Sequence, residues 1–173
     1  MFYYHHRYNS YVMVQYKRME KENSEAIYRL GAETYEKELR RMRRYEDILV
    51  KVTSRLPFEL KDFRLHAGTA YFKLCPAEAL DPTSTNVIKG MYIPLEYWDV
   101  LLRSSNIIGE RGGKRLTFES VERYFNNTLF IKLVQSGWVG SNLAGTDVLT
   151  ELIRAALEND SLLLATLLPD EQP

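Results

Sequence analysis

The clearest alternation along the chain lies in Ser10-Tyr-Val-Met-Val-Gln-Tyr-Lys-Arg-Met19, a β-branched and aromatic run bounded by Asn9-Ser10 and by Glu20-Lys-Glu-Asn23. Such a run predicts a strand, whose successive side chains point to opposite faces. Tyr11, Met13, Gln15, Lys17 and Met19 then share one face, and Val12, Val14 and Tyr16 the other. Ahead of it, Phe2, Tyr3 and Tyr4 are apolar enough for a second strand, with His5 to Asn9 as the turn of a hairpin. A strand so close to the first residue would stand as a bare edge, which folded proteins cover or charge. The pattern therefore predicts either further sequence ahead of Met1 or a partner chain that completes the sheet, in a homo-oligomer.

From Ser24 to about residue 55 the pattern predicts a long helix. Ser24 is placed to cap it, Glu25 lies early where the helix dipole favours an anion, and Tyr28, Tyr35, Met42, Leu49 and Leu56 recur every seventh residue. Ala32, Leu39, Tyr45 and Val52 widen that stripe, which favours packing on a sheet over a coiled coil. Arg40, Arg43 and Arg44 cluster on the helix surface, with Arg41 about 100° round from Arg40. Pro57 ends the helix. Thr69 to Cys75 predicts a strand stopped by Pro76, and 76–86 a loop. Val87 to Ile93 is a third strand, and Pro94 opens a short helix to Arg103 with Tyr97, Trp98, Leu101 and Leu102 inward. Asn106 to Arg115 reads as a glycine-containing loop. Thr117 then starts a helix that carries Val121, Tyr124, Phe125, Leu129, Phe130, Leu133 and Val134 inward and stops at Gly137. Thr146-Asp147 begins a last helix, Ser161 to Leu168 adds a further apolar turn or two, and Pro169 to Pro173 is a frayed tail. The expected class is α/β, with α+β as the alternative: a small sheet, a long helix in the N-terminal half and a helical C-terminal region. All of it falls in a single domain over 1–168.

Composition narrows the classes. Apolar residues at 45% and charged residues at 27% are ordinary for a soluble globular chain. No apolar run approaches the roughly 20 residues that span a bilayer, and the N-terminus lacks a charged-then-apolar signal, so no membrane partner and a cytoplasmic location are expected. The single cysteine, Cys75, has no internal partner and is expected as a small buried hydrophobe. His5 and His6 project divergently without a third ligand, and no histidine has a nucleophile at a motif spacing. Net charge is zero, but residues 1–66 hold fourteen Lys and Arg against ten Asp and Glu, and the remainder nine against thirteen. A phosphate-facing surface on the basic half would draw on Lys21, Arg40, Arg43 and Arg44. Gly112-Gly113-Lys114-Arg115 lacks the strand-to-helix setting of a P-loop.

Candidate chemistry lies at Gln15 and Lys17, a carboxamide oxygen and an ammonium at i and i+2 of one strand. Metal-dependent phosphodiester hydrolysis needs oxygen ligands for a divalent ion and a cation beside the attacking water. Gln15-Tyr16-Lys17 resembles the (E/Q)xK half-motif of the PD-(D/E)xK, restriction-endonuclease-like superfamily, in which that strand is followed by a helix, as here from Ser24. The resemblance implies Gln15 as a metal ligand, Lys17 as the catalytic lysine, Mg²⁺ as the ion and DNA as the partner. The family also places an acidic ligand on an upstream strand, whereas no Asp or Glu precedes Glu20. The expectation is therefore the C-terminal part of a nuclease-like domain, inactive or incomplete as this chain. The alternative is a noncatalytic interaction or assembly module, with the amphipathic helix on a partner and the tyrosine-rich edge pairing in trans.

Overall fold

The N-terminal run extends beyond its apolar core as one long strand that reaches Glu22. In a computed structural model, which describes residues 1–31, 33–53, 60–66, 68–77, 88–142, 148, 150, 154 and 164–167, the elements are β1 (Phe2–His5), β2 (Ser10–Glu22), β3 (Glu25–Arg29), α1 (Glu33–Thr53), β4 (Ala70–Pro76), β5 (Met91–Pro94), α2 (Leu95–Leu101), β6 (Arg115–Leu116), α3 (Phe118–Val121), α4 (Asn127–Gln135) and β7 (Leu164–Leu167). The class is α/β, with a sheet that mixes parallel and antiparallel pairs. The chain separates into two compact units, one of Met1–Val14, Met42–Ala70 and Ile131–Pro173, the other of Gln15–Arg41 and Tyr71–Phe130. Strand β2 and helix α1 contribute residues to both.

In the first unit β1 and β2 form the expected hairpin, antiparallel from Phe2↔Met13 to His5↔Ser10. Strand β1 is not an edge: β7 runs parallel on its other side, from Phe2↔Leu164 to His5↔Leu167. The chain's own segment thus occupies the side expected to need upstream sequence or a partner. It also corrects the expected helical turns over Ser161 to Leu168, since Leu164–Leu167 is extended. A short apolar run has no periodicity to separate strand from helix, and the open backbone of β1 decides it. Tyr11 to Val14 are all buried, so both faces of β2 are covered here. Met42, Tyr45 and Leu49 of α1 are buried as predicted, with Phe2 edge-on to Tyr45 at 6.0 Å.

In the second unit the predicted helix start is wrong. Asn23 and Ser24, at φ 46° and 70°, make a two-residue turn, and β3 returns along β2 with Glu22↔Glu25 and Glu20↔Ile27. Paired left-handed residues are what a tight hairpin needs, so Ser24 turns a corner where a helix cap was expected. Helix α1 starts at Glu33, after Gly31 at φ 122°, and buries Tyr35 and Leu39. Tyr28 therefore belongs to a strand. The core centres on Trp98, fully buried, stacked on Phe72 at 4.0 Å and donating from Nε1 to the Tyr35 hydroxyl at 2.9 Å. Strand β4 lies beside β2 and pairs antiparallel with β5. The glycine-containing loop is partly ordered by pairing: Ile108 bridges Lys114, and β6 joins β3 through Tyr28↔Leu116.

Thr117 caps α3 in a reciprocal box with Ser120, as its position suggests. The helix does not run on to Gly137: Glu122 takes φ 58°, Phe125 exchanges two backbone hydrogen bonds of 2.9 Å with Tyr92, and α4 begins afresh at Asn127. Pairing to the free side of β5 outweighs helix continuation. Cys75 is buried, as expected. The helix stop at Pro57, most of the 76–86 loop, the Thr146-Asp147 start and the tail from Pro169 lie outside the described residues.

Candidate functional site

The side chains of Gln15 and Lys17 do project together, and they meet a carboxylate. Glu38 on α1 accepts from Gln15 Nε2 through Oε1 at 3.2 Å, and its Oε2 forms an ion pair with Lys17 Nζ. Helix α1 thus brings an acid against the two donors. The alternation of β2 lifts the two donors on one side, and α1 presents Glu38 next to Leu39, whose burial faces the helix onto the core. Lys17 and Glu38 keep only 13% and 25% of their side-chain surface in water. Nearby, burial pushes the Tyr28 phenol well above its ordinary range, helped by Tyr35 and Glu38. The cluster is therefore a half-shielded pair of donors closed on one anion.

Its donor set can be weighed against the magnesium ion that the half-motif implies. Mg²⁺ demands octahedral oxygen ligation and is usually held by one or two carboxylates plus substrate phosphates and waters. Here one carboxylate is present, it is already neutralised by Lys17, and Gln15 turns its nitrogen towards it. Among the described residues no group of three His, Cys, Asp or Glu could hold a metal ion. Among the described residues the donors around Gln15 do not fit Mg²⁺.

The remaining candidates are dispersed. Lys21 on β2 and Arg40 on α1 are exposed in the second unit, while Arg43 and Arg44 are exposed on the part of α1 that belongs to the first. His5 lies on β1 with Nε2 3.0 Å from the Gln135 carbonyl oxygen, and His6 packs against the Tyr4 ring.

Sequence reasoning missed two residues. Glu38 carried no local signal, because its link to β2 exists only once α1 docks. Lys73, on β4 opposite Tyr92, is only 1% exposed. Its Nζ lies 4.7 Å from the centre of the Tyr92 ring and 5.2 Å from that of Tyr16. Burial pushes its pKa down and Cys75 partly offsets this; burial in turn pushes the Cys75 thiol up. The alternation Tyr71, Lys73, Cys75 was visible in the sequence, but a lysine in a strand ordinarily marks a wet face. No family model, curated protein or solved structure matches this chain.

Proposed function

We propose that the chain carries the Gln-Lys half of a nuclease-like, PD-(D/E)xK-type site, which engages a phosphodiester of DNA through Lys17 and does not by itself complete the metal centre that hydrolysis needs. The observation behind this reading is the convergence of Gln15 and Lys17 on one anion. An amide N–H and an ammonium that both donate to the oxygens of Glu38 form a grip for any oxyanion of similar reach. Phosphate is the oxyanion that the (E/Q)xK resemblance supplies, and Glu38 is its internal competitor. Lys21 and Arg40 are further exposed cations in the same unit.

Glu38→Gln removes the competing charge and keeps the shape. In fluorescence-anisotropy titrations of a DNA duplex it should bind several-fold more tightly than wild type. Lys17→Ala should bind more weakly, with the slope of log K against log salt reduced by about 0.9 for one lost phosphate contact. No strand cleavage is expected from this chain alone with Mg²⁺ or Mn²⁺. Equal affinities across the three proteins would overturn the reading.

The shielding of Lys17 and Glu38 favours a second reading, in which the pair fastens α1 to β2 within an assembly module. Both substitutions would then lower the urea midpoint by similar amounts and leave DNA affinity unchanged.

A further inference from the structure

Tyr16 separates Gln15 from Lys17 in the chain and points to the opposite face of β2. On that face its ring lies against Lys73, whose other neighbour is the Tyr92 ring, itself stacked on Phe130 at 3.8 Å and 11°. The order Tyr16, Lys73, Tyr92, Phe130 forms a column behind the candidate site, with three consecutive strands of the sheet, β2, β4 and β5, each giving one member and α4 the last. Among the described residues the titratable groups against Lys73 are Tyr16 on β2, Tyr92 on β5 and Cys75 on its own strand, and no carboxylate pairs with it. Gly90 closes the column on another side: a Cβ there would meet the Leu74 carbonyl oxygen, with Lys73 Cε at 3.2 Å and Cys75 Sγ at 3.3 Å. A buried ammonium gains most from an aromatic face when water is absent, and the attraction falls off beyond about 6 Å from the ring centre.

We propose that Lys73 is a positioning residue for the oxyanion grip: its ammonium, held between the Tyr16 and Tyr92 rings, fixes the segment of β2 from which Gln15 and Lys17 project. As far as it concerns DNA, this rests on the reading of the preceding subsection. A methionine at position 73 fills similar space without charge, so Lys73→Met should keep the fold while it frees the Tyr16 ring. Tyr16→Leu removes the ring, and Tyr16→Phe retains it.

The test follows the ¹³Cε resonance of Lys17 in the full chain, alongside DNA anisotropy. Lys73→Met and Tyr16→Leu should both shift the Lys17 resonance and weaken DNA binding about fivefold, while Tyr16→Phe restores both to wild-type values. The thermal midpoint of Lys73→Met should stay within a few degrees of wild type, because the ammonium's burial cost and its ring contacts are both removed. A structural role alone would move stability and leave Lys17 unchanged. An unshifted Lys17 resonance in folded Lys73→Met and Tyr16→Leu proteins overturns the proposal. Should wild type itself fail to bind DNA while the resonance responds, the coupling stands and the nuclease-like reading falls.

Discussion

Lys73 is the residue at which the opposing terms of this fold are most evenly matched. A buried ammonium that meets no carboxylate among the described residues loses several kcal/mol of hydration, and two aromatic faces return about 1 to 2 kcal/mol each. Burial holds its pKa below the ordinary 10.5, so between the depressed value and 10.5 the unfolded chain binds a proton that the folded chain has released. Stability should therefore rise with pH through that window, and the penalty should be gone above 10.5. Urea midpoints of wild type minus those of Lys73→Met, taken from neutral to alkaline pH, isolate this one group. A difference that stays flat or falls would contradict the sign.

Glu46 shows the opposite case, a carboxylate with three donors on one oxygen. Its Oε1 accepts from the Thr69 amide at 2.6 Å, the Thr69 hydroxyl at 2.8 Å and the Ala70 amide at 2.5 Å. Three donors on one charged oxygen bind α1 to Thr69 and to Ala70, the first residue of β4, inside the first unit. Glu46→Ala leaves two backbone amides and a hydroxyl to find water in a part-buried place, and should lower unfolding stability by about 3 kcal/mol. Glu46→Gln, which keeps an acceptor without the charge, should lose about half of that in the same chemical-denaturation assay. Thr69 itself is the smaller donor: its hydroxyl duplicates an amide contact, so Thr69→Val should cost less than either change at Glu46.

Among elements, those that could be read from the chain were the ones whose pattern outlasts its neighbours. Strand β2 and the buried stripe of α1 carry enough residues for pattern to decide them, and β4 is an apolar run marked by the Pro76 that stops it. The stretch from Glu25 to Arg29 failed because Glu25, Ala26 and Arg29 are good helix formers and no Asn-Gly announces the turn before it; Ser24 at φ 70° is an uncommon choice that the two strands impose. The break at Glu122 was likewise silent, since a non-glycine residue at φ 58° is held there by the pairing of Phe125 with Tyr92. Of the candidate site, Gln15 and Lys17 were legible because two positions on one strand need no tertiary knowledge. Glu38 and Lys73 were not, because docking alone creates their surroundings. Gly137 was recognisable as a helix stop and has a second duty. At φ 67° it faces Tyr8, and a Cβ there would run into the ring. Gly137→Ala should cost about 3 kcal/mol, more than the left-handed backbone alone would cost, and Tyr8→Ala should relieve the difference in a double-mutant cycle.

For the whole chain the decisive pairing is β1 with β7, which joins Phe2 to Leu164 and so brings the first strand against one of the last described segments. An antiparallel hairpin alone is marginal in water, and β1 with only β2 beside it would present an unpaired row of amides and carbonyls. Contacts so distant in sequence close a very large loop, so the parallel pair is expected to form late in folding, after the β1–β2 hairpin has supplied its template. A chain ended after residue 163 tests this. Backbone amides of Phe2 to His5 should then exchange with solvent at least tenfold faster by hydrogen-exchange mass spectrometry, while those of β5, in the second unit, keep their protection. Light scattering should show concentration-dependent self-association as the freed edge pairs with other copies. Unchanged protection of β1 in a monomeric shortened chain would mean that β1 is stabilised by β2 and the packing of Phe2 against Tyr11 and Tyr45, with β7 adding only a cover.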